Sequence, residues 1–164
     1  KLQSFIKQNR LNLYDISQVQ HINQIKSLAE QAKASGKKFF FAIDGTYNLS
    51  VGKYANARDE NIQRANKLKE IADVYQIPVI CTGEVRKSIG KADRDLSNND
   101  IMESGKYIYN PNLITILTKV YDKKQHTGQI NLFCSKNKLS SFEGDLTLNI
   151  NKDNCQVTEQ PEVF

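Results

Sequence analysis

Asp44 is the residue of this chain best placed to do chemistry, because of what precedes it. The segment Lys37-Lys38-Phe39-Phe40-Phe41-Ala42-Ile43-Asp44-Gly45 is an apolar run that stops at a single carboxylate. Such a run reads as a strand buried on both faces, as in a parallel sheet. Ligands of open α/β sheets bind outside the carboxyl ends of the strands, so Asp44 stands where a cation could be held. Glu84 follows a second short apolar run, Val79-Ile80-Cys81, in a similar way. Two carboxylates at adjacent strand ends can hold a catalytic Mg²⁺, which admits a metal-dependent nuclease with Lys87 nearby. The usual partner for nucleotide phosphates is lacking: no G-x-x-x-x-G-K-[ST] loop occurs in the 164 residues.

Other reactive residues narrow the choice. His21 and His126 have no partner at metal-ligand spacing. Cys81, Cys134 and Cys155 are odd in number and show no C-x-x-C spacing, so free thiols in a reducing, cytoplasmic compartment are expected rather than a zinc site. No Ser/His/Asp or Cys/His arrangement is visible. The net charge of +5 and pI near 9.0 suit a nucleic-acid partner without requiring one. No apolar run is long enough to span a membrane, and the first residues lack the apolar core of a signal peptide. With no initiator Met and no phosphate loop, the expectation is a piece of a longer protein.

The elements that must position these residues follow from spacing. Asp15 can cap a helix from about Ile16, whose apolar positions Ile16, Val19, Ile22, Ile25, Leu28 and Ala29 recur as an amphipathic helix requires. Gly36 ends it, and the Phe39–Ile43 strand follows. Thr46 to Lys53 reads as a loop. A second helix, from about Asp59 to Tyr75, has the buried stripe Ile62, Ala65, Leu68, Ile71, Ala72 and Tyr75. Pro78 opens the strand Val79–Cys81, so strand, helix and strand form one right-handed βαβ unit. Residues 83–99 read as a long polar loop, and 100–107 as a short helix. Leu113–Val120 and Gln129–Cys134 are strands about a turn at 122–128. Asp145–Ile150 and Cys155–Thr158 complete a β-rich end. One domain over 1–164 is expected.

In this order the segments resemble the later part of the RecA-type motor domain of DnaB-like replicative DNA helicases. Phe39–Leu49 is similar to the family's Walker B strand and following loop. Leu68–Ala72 through Ile77-Pro78-Val79-Ile80 is similar to its helix and "NVPVI" strand. Asp100-Ile101-Met102-Glu103-Ser104-Gly105 is similar to its "DLRESG" segment. Lys136-Asn137-Lys138, followed by Gly144 and Asp145–Leu148, is similar to its "KxR…G" finger and closing hairpin. The likeness runs from about Leu13 to Glu159. It implies an α/β fold: a partial RecA-like P-loop NTPase core, its mostly parallel sheet flanked by helices, with a β-hairpin-rich C-terminal end.

The resemblance also implies roles. The residue matching Asp44 holds Mg²⁺ through water in the family. Glu84 stands where the family usually has a Gln that senses the γ-phosphate; an ionised carboxylate cannot donate a hydrogen bond there. Lys136 and Lys138 match the Lys and Arg that reach into the neighbouring subunit's ATP site, although Lys138 offers a point charge in place of a planar fork. Two solvated hairpin lysines are the plain alternative. Met102, Glu103 and Gly105 match a pore loop that touches DNA, with Met102 replacing its Arg and Lys106 able to compensate. Lys53 and Arg58 match the region of a second pore loop, and a solvated surface loop accounts for them as well. The parent protein would use ATP and Mg²⁺, act on single-stranded DNA, and assemble as a hexameric ring that meets primase or other replication proteins. These 164 residues alone would neither hold nor hydrolyse ATP. A degenerate helicase relative that binds DNA or a partner without ATPase activity is the alternative.

Overall fold

The computed structural model describes residues 2–8, 11–84, 105–122, 125–151, 153–154 and 156–159. The chain divides into two compact units, one from residues 1–84 and 103–107, the other from 85–102 and 108–164.

The first unit opens with a short helix, α1 (Leu2–Lys7). Asp15 does not start the next helix. Its carboxylate closes a local turn instead, with Oδ1 accepting from the Ser17 amide at 2.8 Å and the Ser17 hydroxyl at 2.5 Å. These bonds hold the Asp15 carboxyl below the usual carboxylate range. The chain then stays extended, because Ser50 N donates to Gln20 O at 2.8 Å and Ile22 N donates to Ser50 O at 2.9 Å. Only after that does α2 (Ile22–Ala34) begin, six residues later than its apolar spacing suggests. His21 is the cap: Nδ1 accepts from Asn23 N, and Gln24 Oε1 accepts from His21 N at 2.8 Å. Gly36, at φ +70°, supplies the left-handed turn that releases the chain.

The βαβ unit is as the spacing predicts. Strand β1 (Phe41–Ile43) is followed by a 3₁₀ turn at Thr46–Asn48 and by α3 (Ala57–Tyr75). Asn56 caps α3 by accepting from Asp59 N at 2.9 Å. Gln76, in a left-handed conformation, ends it. Strand β2 (Val79–Cys81) then lies parallel to β1, with Phe41 level with Val79 and Ile43 level with Cys81.

The core of this unit is Ile22, Ile25, Ala29, Leu49, Val51, Leu68, Ile71 and Ile77, with Phe39, Phe41, Ile43 and Val79 packed against it. Each fully buried aliphatic side chain contributes roughly 1.5–3 kcal/mol. Both helices therefore cover one face of the strands. The expectation of strands buried on both faces fails here: on the other face Phe40 is 61% exposed and Ile80 57%. The run of three Phe conceals an ordinary alternation, with Phe39 and Phe41 inward and Phe40 outward.

The second unit is an antiparallel meander in the order β3 (Leu113–Asp122), β4 (Gln125–Asn137), β5 (Gly144–Asn151) and β6 (Gln156–Glu159). A mostly parallel sheet is thus not what the described residues form: β1 and β2 pair in parallel, with an isolated parallel bridge between His21 and Ser50, and the four-stranded sheet is antiparallel throughout. The turn expected over 122–128 is shorter, because Gln125 already pairs with Asp122. Gly128, which reads as a turn residue, lies inside β4 at φ +85°, beside a shift in register between Lys119 and Tyr121. Its freedom of φ serves a bulge rather than the hairpin end. Ile114, Ile116 and Cys134 are the buried residues of this sheet. The short helix α4 (Gly105–Tyr109) precedes it; residues 100–104 of the expected helix lie outside the described residues.

Candidate functional site

Because β1 and β2 end level with one another, the residues that follow them meet. Thr82 N donates to Ile43 O at 3.0 Å and Thr46 N donates to Thr82 O at 3.2 Å, carrying the parallel ladder past both strand ends. The Thr82 side chain closes the arrangement. Its Oγ1 accepts from Gly45 N at 2.8 Å and donates to Asp44 Oδ1 at 2.5 Å. A hydroxyl has one proton to give, and Thr82 gives it to Asp44.

The backbone turn after Asp44 requires glycine. Gly45 has φ +70°, and a Cβ there would lie 2.8 Å from Asn48 Nδ2 and 3.2 Å from the Tyr47 ring. Thr46 beyond it is 1% exposed. Asp44 itself is exposed at the mouth of this turn. The loop that follows is anchored by Arg64, 3% exposed on α3. Its Nε donates to Leu49 O at 2.7 Å, Nη2 to Glu60 at 2.8 Å, and Nη1 to Asn61 Oδ1. A buried guanidinium is tolerable only when its donors are so matched.

The remaining expected residues are distributed as follows. Glu84 is exposed just beyond β2, at the same end of the strands as Asp44; its pairing with Arg86 or Lys87 lies outside the described residues. Lys53 is exposed in the loop, whereas Arg58 sits in the first turn of α3 rather than in the loop. Met102 and Glu103 lie outside the described residues; Gly105 opens α4, where Lys106 is exposed. Among the described residues no cluster of three His, Cys, Asp or Glu could ligate a metal, and no helix is long and apolar enough to cross a membrane. A cleft of about 810 Å³, lined by Lys33, Lys37, Lys38, Phe40, Tyr75 and Ile80 among others, opens elsewhere on the first unit and contains none of these residues.

In the second unit the two hairpin lysines differ in kind. Lys136 Nζ donates to Ile108 O at 2.6 Å and Tyr109 O at 2.9 Å, which are the last carbonyls of α4. Burial, and then the charge of Lys138, lower its pKa below the ordinary lysine range. Asn137 between them folds the loop: its Oδ1 accepts from Leu139 N and Ser140 N, and its Nδ2 donates to Phe142 O. Lys138 is held only by its backbone, through Asn112 O at 2.8 Å, and its side chain is exposed. Lys136 is thus spent on a helix end inside its own unit, and Lys138 is the lysine presented to solvent.

Thr82, Arg64 and Asn137 were not signalled by the sequence reading. A hydroxyl one residue past a strand, level with a strand-end Asp, is the signal that could have found Thr82.

By likeness to solved structures the chain has the α/β fold of a RecA-like helicase ATPase domain. No family model and no curated protein sequence matches it. Among solved structures it is similar to a DnaB-like replicative helicase studied for its interactions with primase, with a TM-score of 0.77 and 23% identity, over 87% of this chain and 36% of that one. It is also similar to a solved ATPase domain, with a TM-score of 0.76 and 22% identity, over 86% of this chain and 52% of that one. The chain spans about a third of the first and half of the second.

Proposed function

We propose that this chain is the later part of a DnaB-like helicase motor domain, whose whole form couples ATP hydrolysis to movement along single-stranded DNA. The observation that carries the reading is Asp44, held at the end of β1 by Thr82 and the Gly45 turn within a helicase ATPase fold. Its carboxylate is exposed, and with Oδ1 engaged by Thr82 the other oxygen is open to a cation or its bound water. Mg²⁺ keeps several waters and takes few protein carboxylates, so the donor set fits. When bound with ATP, the ion would neutralise charge on the phosphates. Asp44 would hold that ion's hydration shell, Glu84 would face the nucleotide from the end of β2, and Lys138 would reach a neighbouring subunit's site in a ring. Lys53, Arg58 and Lys106 would touch DNA phosphates alongside Met102, Glu103 and Gly105.

The 164 residues contain no phosphate loop, so purified Lys1–Phe164 is expected to show no ATP turnover. Turnover that is lost on Asp44→Ala would refute this. For DNA, replacing Lys53, Arg58 or Lys106 with Ala should lower the magnitude of the salt slope by about 1 for each phosphate contact removed. Unchanged slopes for all three would refute the pore-loop assignment.

A second reading, a helicase relative that binds DNA or a partner without hydrolysing ATP, is favoured by one observation. Lys136 is committed to the carbonyls of α4 and unavailable to reach across a subunit boundary. Assembly with primase or another replication protein is compatible with either reading.

A further inference from the structure

We propose that the apolar face of the β3–β6 sheet is a self-association surface, which seats a second copy of this chain about a two-fold axis parallel to the strands. The proposal does not depend on the motor reading. Residues paired across an antiparallel sheet share a face, so the register sorts this sheet into two unlike sides. One side is polar. Thr118 pairs with Asn131 and Asn131 with Thr147, while Asn131 Nδ2 donates to Asp145 Oδ1 at 3.1 Å and Gln129 Nε2 to Asn149 Oδ1 at 3.0 Å. The other side is aliphatic. Leu117, Leu132 and Leu146 form one row across three strands, Ile130 and Leu148 are the middle of the next, and Val157 lies opposite Ile150 beyond them. A sheet with one such face buries it against a second layer. Here the face is open: Leu117 is 58% exposed, Val157 55% and Leu146 37%.

The charges at the rim select the second layer. Lys119 pairs with Ile130, Ile130 with Leu148, and Leu148 with Glu159, so one row crosses all the strands of the sheet with a cation at one end and an anion at the other. Both are exposed. With strands ~4.8 Å apart they stand ~14 Å from one another, too far to pair within one copy. A second copy turned about an axis along the strands lays its row on this one in reverse. Lys119 then faces Glu159 of the second copy, and Glu159 faces its Lys119. Packed sheets lie ~10 Å apart, a gap that a Lys and a Glu side chain span together. An axis across the strands would instead set Lys119 on Lys119 and Glu159 on Glu159. The favoured arrangement is isologous and closes on itself. The four-stranded face measures roughly 19 by 20 Å, or ~400 Å² on each copy, about half of a standard interface. The dimer is therefore weak and depends on concentration.

The test is sedimentation velocity of Lys1–Phe164 over roughly 1 μM to 1 mM protein. Wild type should pass reversibly from monomer to dimer. Leu117→Ser, at an exposed position, should keep the folded amide spectrum and abolish the dimer over that range. Lys119→Glu and Glu159→Lys should each weaken association roughly tenfold, because two-fold symmetry places each change twice. Mixed in equal amounts, these two variants should associate as wild type does, since each then meets the opposite charge at both ends of the row. The double variant carrying both changes should do the same. A loss of fold in either single variant cannot produce that recovery. Wild type that stays monomeric at the highest concentration overturns the proposal and leaves the face to another segment or a different partner. A dimer indifferent to Leu117→Ser, or one weakened by the single charge changes without recovery on mixing, overturns it as well.

Discussion

Replacing Arg64 with Ala should destabilise the first unit more than any change to the exposed lysines around it. Arg64 is 3% exposed, and its guanidinium serves Leu49 O, Asn61 and Glu60 at once. The Glu60 pair adds little, because Glu60 is 36% exposed and surface ion pairs are worth ~0–1 kcal/mol. The bond to the Leu49 carbonyl matters most: Leu49 is 5% exposed, and an orphaned buried acceptor costs roughly 1–3 kcal/mol. Truncating the buried stem removes a further ~1–2 kcal/mol of apolar contact. The expected loss is therefore roughly 2–6 kcal/mol, which spans the range for breaking a buried charged pair and is large beside a typical total of about 5–15 kcal/mol. Arg64→Lys should recover less than half, since an ammonium cannot present the same fork to three acceptors. The assay is urea unfolding followed on amide resonances of α3, because two compact units need not unfold as one transition. A loss below about 1 kcal/mol for Arg64→Ala would refute the claim that Arg64 anchors the loop after Asp44.

Three further outcomes are expected. Gly45→Ala, which meets Asn48 and Tyr47 at a φ of +70°, should cost about 1–3 kcal/mol and lower Tm; an unaltered melting curve would contradict the turn geometry. Phe40→Ser should change stability by about 0.5 kcal/mol or less, whereas Phe41→Ser should cost several times more, and equal effects would contradict one-sided burial of β1. Lys136 loses its proton more readily in the folded chain than in the unfolded one, so between its lowered pKa and the ordinary value near 10.5 the unfolded state binds more protons and this group's contribution to stability rises with pH. Lys136→Met should remove that rise, as read from urea midpoints taken across the alkaline range; identical profiles would refute it.

The parts of the fold that were legible are those governed by periodic burial. The stripe Ala65, Leu68, Ile71 on α3 and the short run Val79–Cys81 read correctly because spacing alone dictates which face turns inward. The misreadings share a cause, which is local polar competition that spacing does not encode. Asp15 has the chemistry of a helix cap, yet Ser17 lies close enough to capture it, and His21 caps α2 instead. Arg64 lies four and seven residues before Leu68 and Ile71, on the inward face of α3, so its position foretold burial while its charge argued against it; the Leu49 carbonyl, Asn61 and Glu60 match its donors there. Asp44 was legible as a strand-end carboxylate, but the hydroxyl that holds it comes from 38 residues away.

The hairpin lysines show how such local bonds can change a functional reading. A pair of basic residues two apart on a strand end suggests two charges acting together. In the folded chain the intervening Asn137 gathers the loop with four side-chain bonds, which turns the strand after Lys136. Lys136 then caps α4, where a cation meets the negative end of the helix and its unpaired carbonyls. Lys138 is left beyond the turn, anchored through its backbone and extended into solvent. The pair therefore divides into a structural cation that fixes the loop and a free one that the loop presents. Of this pair, Lys138 is the ammonium presented to an anion, and the loop that presents it is folded by Asn137.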